Sequence, residues 1–331
     1  MRRLSYSLAI NEALYQVMER DPAVFVLGQG VHNPWYVGNT MRGIGERFGS
    51  VRVIDPPVSE NGMNGVVIGA ALAGMRPVVI HPRMDFMLMG MEQIVNEAAN
   101  WCYMFGGQIS VPLVIRAIIN RGGEQAAQHS QALQAMVAHV PGLKVVMPAT
   151  PYDAKGLLVA SIEDDNPVVY IDDRWLYDSE GEVPEELYRV PIGKGVVRRE
   201  GRDVTVVSTS YMVGEALNAA ERLKEERIEA EVIDPRTLKP LDEELILRSV
   251  KKTGCLVVVD AAWRTCGFAA EIAARVSERA FEQLKAPIQR VTLPDLPAPA
   301  SRTLEKSYYI TTENVLEAVR RVIQSKKERK H

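Results

Sequence analysis

Short β-branched runs alternate with helical stretches along most of this chain, which predicts a doubly wound α/β fold with a mostly parallel sheet. Strands are expected at Val24–Gly28, Val51–Ile54, Pro77–Ile80, Val111–Ile115, Lys144–Met147 and Pro167–Ile171. Helical patterns lie between them at Tyr6–Arg20, Thr40–Phe48, Asn64–Gly74, Met91–Met104, Ser130–His139 and Tyr152–Ile162. Several strands are apolar on both faces, as expected where helices cover both sides of a sheet.

The pattern breaks after Asp173. From Tyr177 to Arg202 the chain is charged, holds prolines and glycines, and keeps no sustained period, so it reads as an interdomain connection. A second α/β series then begins. Strands are expected at Asp203–Ser210, Ala230–Ile233, Cys255–Asp260 and Ile288–Leu293, with helices at Val213–Glu226, Glu243–Thr253, Phe268–Leu284 and Glu313–Gln324. The expected organisation is a first domain over 1–176, a linker over 177–202, a second domain over 203–325 and a solvated basic tail over 326–331.

Bulk composition narrows the function classes. The chain has 331 residues, 47% hydrophobic and 24% charged, which is enough for two domains. A net charge of −3 gives no footprint for nucleic acid. No apolar run approaches the roughly 18 residues of a membrane helix, and the N-terminal MRRLSYSLAINEALYQV does not read as a signal peptide. Cys102, Cys255 and Cys266 have no metal-ligand spacing, and their odd number argues against a disulfide framework. A cytoplasmic location is expected.

Candidate chemistry centres on Arg52–Val79. A strand ends there in a turn bearing Pro56, Pro57 and Glu60, and an Ala/Gly-rich helix follows. The carboxyl edge of a parallel sheet is where open α/β folds build ligand crevices. Glu60 in that place suits proton chemistry or helix capping, and the residues alone leave both open. His129 is expected at the start of a helix after a loop bearing Gly122 and Gly123. The helix dipole there disfavours an imidazolium and favours a neutral, proton-shuttling ring; a cap beside Ser130 is the structural alternative. His139, ten residues on, reads as a packed structural histidine. Phe86 follows a strand end, where it could stack on a heterocycle or simply join the core.

Several blocks together resemble one family. They are DPPVSENGMNGVVIGAALAGMRPVV, DF followed by MEQIVNEAANWCYM, AAQHSQ, HVPGLKVVMPATPYDAKGLL, IEDDNPVV, EVIDPRTLKPLD, VKKTGCLVVVDAAW and GFAAEIAARVSERAFEQLKAPIQRV. In this order they resemble the beta subunit of thiamine-diphosphate-dependent 2-oxoacid dehydrogenases, of the pyruvate, branched-chain 2-oxoacid or acetoin type. The resemblance implies a pyrimidine-binding domain followed by a transketolase C-terminal domain, in an assembly of two alpha and two beta chains with a lipoyl acyltransferase core. It implies oxidative decarboxylation of a 2-oxoacid with acyl transfer to a lipoyl carrier.

The resemblance also assigns residues. Glu60 matches the glutamate that contacts the aminopyrimidine ring nitrogen of the cofactor. Phe86 matches the aromatic stacked on that ring, and Val58 an apolar contact to it. His129 matches the histidine that assists proton movement and acyl transfer. Leu113, Ser161, Asp164 and Asn166 fall where some members bind a structural potassium ion. The GDG motif with which thiamine enzymes hold magnesium and diphosphate is missing, so those groups are expected on an alpha subunit, and the chain alone is not expected to work.

Three departures touch the site. Gln29 stands where the family usually has an acid, and His81-Pro82-Arg83 replaces a mostly neutral run before the aromatic. The loop AIINRGGEQ, with Arg121, is more charged than usual. Arg83 or Arg121 could meet an anionic group, or form a structural ion pair. Two alternatives stand beside the dehydrogenase: half of a split transketolase moving ketol units between sugar phosphates, and a non-catalytic pairing subunit. Retention of Glu60, Phe86 and His129 together argues against the latter.

Overall fold

The computed structural model describes residues 2–329. They form two compact units. The first comprises the chain up to Arg121, Gln128–Ile192 and Leu238–Pro240; the second comprises Gly122–Ala127, Gly193–Thr237 and the chain from Leu241 onward.

The first unit is built on a seven-stranded sheet. Its order is Thr237–Lys239, Lys144–Val146, Val168–Asp173, Val114–Ile119, Arg76–His81, Val24–Gly28, Val53–Ile54. The pairs from Lys144–Val146 through Val53–Ile54 all run parallel. Val24–Gly28 and Val114–Ile119 are buried at every position, which explains why both are apolar apart from Arg116. Helix Tyr6–Arg20 buries Tyr6, Ala9, Ile10, Ala13, Leu14 and Val17 at three-to-four-residue spacing. It begins at Ser5, whose Oγ accepts from Leu8 N at 3.3 Å. Thr150 caps helix Pro151–Glu163 in the same way, with proline at the first helical position.

Some boundaries differ from expectation. The strand expected at Val111–Ile115 lies at Val114–Ile119. Pro112 cannot donate to a central ladder, and Arg116, which looks like a strand breaker, is fully buried instead. Its Nε and Nη2 donate to Asp172 at 3.0 and 2.7 Å, with Thr40 Oγ1 and Tyr177 OH completing the set. The single helix expected at Met91–Met104 is a π-helical turn at Gln93–Ala98 followed by a short helix at Trp101–Met104. The 177–202 segment is not wholly irregular. Glu180–Val183 pairs antiparallel with Arg2–Ser5, and Val196–Arg199 is a strand of the second unit.

The second unit carries a five-stranded sheet ordered Gln289–Leu293, Leu256–Trp263, Val204–Ser208, Ala230–Asp234, Val196–Arg199, parallel except for the last strand. Helices Tyr211–Glu225, Glu243–Thr253, Phe268–Ala280 and Thr312–Glu328 pack on it. Asp242 caps the second of these, and Gly254 ends it in the left-handed conformation at φ 72°. Lys326, assigned to the tail by composition, lies in the last helix and donates to the Asp203 and Thr253 carbonyls at 3.0 Å. Residues 330 and 331 of the expected tail lie outside the described residues. Among the described residues no helix is long and apolar enough to cross a membrane.

Candidate active site

Glu60 stands on the carboxyl side of strand Val53–Ile54, as the first residue of helix Glu60–Leu72. The helix therefore starts four residues earlier than expected. The Asn/Gly-rich stretch Asn61–Gly65 has low helix propensity, but Ser59 O accepts from Met63 N at 2.8 Å and closes the first turn. Ser59 Oγ does not cap this helix; it meets Asn61 Oδ1 at 3.0 Å. The Glu60 carboxylate is half-exposed and makes no hydrogen bond or ion pair among the described residues. A capping role requires acceptance from a backbone N–H, so the capping alternative loses its support. The helix N-terminus still favours a negative charge there.

Beneath that first turn lies an element the sequence reading did not find. Asn64 Nδ2 donates to Glu60 O at 2.8 Å, and the same amide lies 3.3 Å from His81 Nε2. A Cβ on Gly90 would stand 2.0 Å from Asn64 Nδ2 and 3.2 Å from Glu60 O, so only glycine lets the Leu88–Gly90 turn approach this helix. His81 is fully buried, and burial pushes its pKa down to about 4, so the ring is neutral at physiological pH. The departure His81 therefore supports the helix from below.

Phe86 sits on the helical turn Met84–Met87, just past strand Arg76–His81. Its half-buried ring meets the His129 ring edge to face, with centroids 5.3 Å apart and planes at 88°. His129 ends a 3-10 turn at Ala127–His129, and the next helix begins only at Gln134. The expected helix start at Ser130 is thus corrected, and the dipole argument for His129 goes with it. Residues 130–133 are held by tertiary contacts instead. Asp85 Oδ1 accepts from Gln131 N at 3.2 Å and from Gln131 Nε2 at 2.8 Å, and Met84 Sδ accepts from Leu133 N at 3.4 Å. His139 is exposed rather than packed.

Val58 lies on the turn before Glu60 and is 66% exposed, available to an apolar ligand face. Gln29 is half-buried after strand Val24–Gly28. With its amide oxygen turned inward, Asn120 accepts from Arg83 Nη1 and Nη2 at 3.0 Å, and burial together with the Arg174 charge pushes the Arg83 pKa down. Arg121 pairs with Asp173 at 2.5 Å in the interior and lies over the Trp175 ring at 5.5 Å. Both arginines have structural partners.

The four candidate potassium residues are close together but already engaged. Leu113 O accepts from Val168 N at 2.9 Å, and Ser161 Oγ donates to Leu157 O at 2.6 Å. Arg76 Nη1 donates to the carbonyls of Ile162 and Asp164 at 3.1 and 3.2 Å. Lys144 pairs with the Asp164 carboxylate, which also accepts from Asn166 N at 2.9 Å. The protein supplies its own cations, Arg76 and Lys144, to this segment, where they compete with a potassium ion. Among the described residues no cluster of three or more His, Cys, Asp or Glu could hold a metal.

Residues 2–179 match the transketolase pyrimidine-binding domain, and residues 193–315 match the transketolase C-terminal domain. The beta subunit of acetoin:2,6-dichlorophenolindophenol oxidoreductase from Cupriavidus necator is 45% identical, over 98% of this chain and 99% of the relative. The pyruvate dehydrogenase E1 component subunit beta of Rickettsia felis is 43% identical over 95% and 96%. The 2-oxoisovalerate dehydrogenase subunit beta of Bacillus subtilis is 43% identical over 97% and 98%. Among solved structures, a split-gene transketolase described as an inactive beta4 tetramer superposes with a TM-score of 0.76 at 25% identity, covering 98% of this chain and 99% of that one. The chain therefore belongs to the family of 2-oxoacid dehydrogenase beta subunits, built from a transketolase pyrimidine-binding domain followed by a transketolase C-terminal domain.

Proposed function

We propose that this chain is the beta half of the decarboxylating component of a 2-oxoacid dehydrogenase, which becomes active with an alpha subunit and passes its acyl group to a lipoyl carrier. One observation carries the reading: three segments from the carboxyl edge of one sheet converge. The helix bearing Glu60 packs against the turn after Phe86 through Gly90, and the Phe86 ring meets His129. The dehydrogenase relatives are 43–45% identical, against 25% for the split transketolase, which favours 2-oxoacid over sugar phosphate chemistry.

Thiamine diphosphate, when bound, supplies the carbon nucleophile and the electron sink for decarboxylation. The residues fit its pyrimidine half. Glu60 offers a carboxylate without a partner among the described residues, suited to holding and exchanging one proton with a ring nitrogen. Phe86 offers a half-buried aromatic face, and Val58 an exposed apolar one. His129, held in place by Phe86, can give a proton to a thiolate leaving the lipoyl ring. The diphosphate and its magnesium belong to the alpha subunit in this reading, because the sequence lacks the GDG motif with which thiamine enzymes hold them. A cytoplasmic location suits the three free thiols.

The test is decarboxylation over a panel of 2-oxoacids by the reconstituted alpha–beta pair. Turnover of at least one 2-oxoacid with acylation of a lipoyl domain is expected. Ketol transfer between sugar phosphates without lipoyl acylation would favour the transketolase alternative.

A further inference from the structure

The turn after strand Arg76–His81 and the segment after the Ala127–His129 turn meet at three successive points. Met84 Sδ receives Leu133 N at 3.4 Å, Asp85 receives Gln131, and the Phe86 ring receives His129. The middle contact is the unusual one. Asp85 is only 5% exposed, and both of its hydrogen bonds from other residues come through Oδ1 from Gln131. Its Oδ2 is buried and has no partner among the described residues. A buried carboxyl is costly, and an apolar side chain would pack this turn without that cost. Packing alone therefore does not account for an acid here, and the only segment it grips is the one that carries His129.

We propose that Asp85 is a positioning residue for His129: through Gln131 it anchors the stretch between the Ala127–His129 turn and the helix that begins at Gln134, and so holds the imidazole against the edge of Phe86. The inference rests on the assignment of His129 to acyl transfer. Gln131 N and Nε2 converge on one carboxyl oxygen, which fixes both backbone and side chain two residues beyond the histidine. Residues 130–132 lie in no helix, and Leu133 is tied by Met84 Sδ and by accepting from Met136 N at 3.0 Å, so beside His129 it is the Asp85 contact that restrains the backbone. Asp85 acts through this anchor and touches no substrate. An asparagine keeps the accepting oxygen and should preserve the anchor; an alanine removes it.

The experiment uses the enzyme assembled with its alpha subunit, and compares Asp85→Ala, Asp85→Asn and wild type in two readouts. Amide hydrogen exchange over 127–133 should speed up in Asp85→Ala by on the order of tenfold, and stay near wild type in Asp85→Asn. In acyl transfer to a lipoyl domain, kcat should fall about ten- to a hundredfold in Asp85→Ala with KM for the 2-oxoacid little changed, the usual effect of a misplaced group. Asp85→Asn should recover most of that loss. Unchanged exchange in Asp85→Ala, faster exchange with unchanged kcat, or failure of asparagine to rescue would each overturn the proposal. If Asp85→Ala does not assemble, Gln131→Ala removes the Nε2 half of the anchor while keeping the N–H half, and must move exchange and kcat in the same direction to a smaller extent; no change in either would overturn the proposal. Failure of the functional reading itself shows differently: no 2-oxoacid is turned over, while the exchange result stands or falls independently.

Discussion

Phe86 and His129 stand edge to face, with ring centroids 5.3 Å apart and planes at 88°. The contact links the aromatic proposed to stack on the cofactor with the histidine proposed to serve the later acyl step, so the two steps can be separated by substitution. His129→Ala should leave decarboxylation measured with an artificial electron acceptor partly working. Acylation of a lipoyl domain should fall much further, by roughly two or more decades if the imidazole is the proton donor. Equal losses in both assays would assign His129 to decarboxylation, and no loss in either would make it structural.

The Glu60 carboxylate has no partner among the described residues, so its replacement by Gln should leave the fold intact. The variant keeps the shape and one accepting oxygen but loses the titratable proton. Calorimetry of the assembled enzyme should report cofactor affinity near wild type, while turnover falls by on the order of two to four decades. Near-normal turnover would remove Glu60 from the proton chemistry.

What was legible in the sequence follows from how local each signal is. The alternation of strand and helix, and the placing of Glu60 and Phe86 at strand ends, rest on short-range patterns and were readable. His129 was readable as a residue but not in its setting. Ser130–Leu133 has the composition of a helix start, yet its backbone is captured by Asp85 and Met84, some 46 to 49 residues away in sequence. Asp85 was visible only as half of the DF pair, and nothing local shows that it grips Gln131. His81 was visible as a departure, but its neutral, buried support of Asn64 depends on which residues cover it. The run from Val111 to Ile119, apolar except for Arg116, could not fix its own strand limits, because the partner of Arg116 is Asp172 on the neighbouring strand.

His81 predicts a pH dependence of stability. Its pKa is depressed to about 4 when folded, from an ordinary value near 6.5 when unfolded. Between those limits the unfolded chain binds more protons, so stability rises with pH. The contribution is fully present above about pH 6.5 and is lost as pH falls towards 4, amounting to roughly 3 kcal/mol in all. Urea unfolding at pH 7.5 and at pH 5 should show a larger loss in wild type than in His81→Gln. Equal losses would mean that the ring is not held neutral.

Arg76 and Lys144 already supply positive charge to the 161–166 loop. Exchange of potassium for sodium at constant ionic strength should therefore leave the melting temperature unchanged, whereas a rise specific to potassium would show that the ion binds despite the guanidinium. Arg76→Ala should destabilise the chain by about 1–3 kcal/mol, since it leaves two carbonyls without their donor.

In the proposed reading the chain carries half of an active site, a pyrimidine-side carboxylate, aromatic and histidine, and the alpha subunit carries the diphosphate-bound metal. The most direct test is a calorimetric titration of thiamine diphosphate with magnesium into the purified chain, and then into the chain assembled with its alpha subunit. Little or no binding to the chain alone and saturable, magnesium-dependent binding to the assembled pair is the predicted result. Tight magnesium-dependent binding to the isolated chain would contradict it.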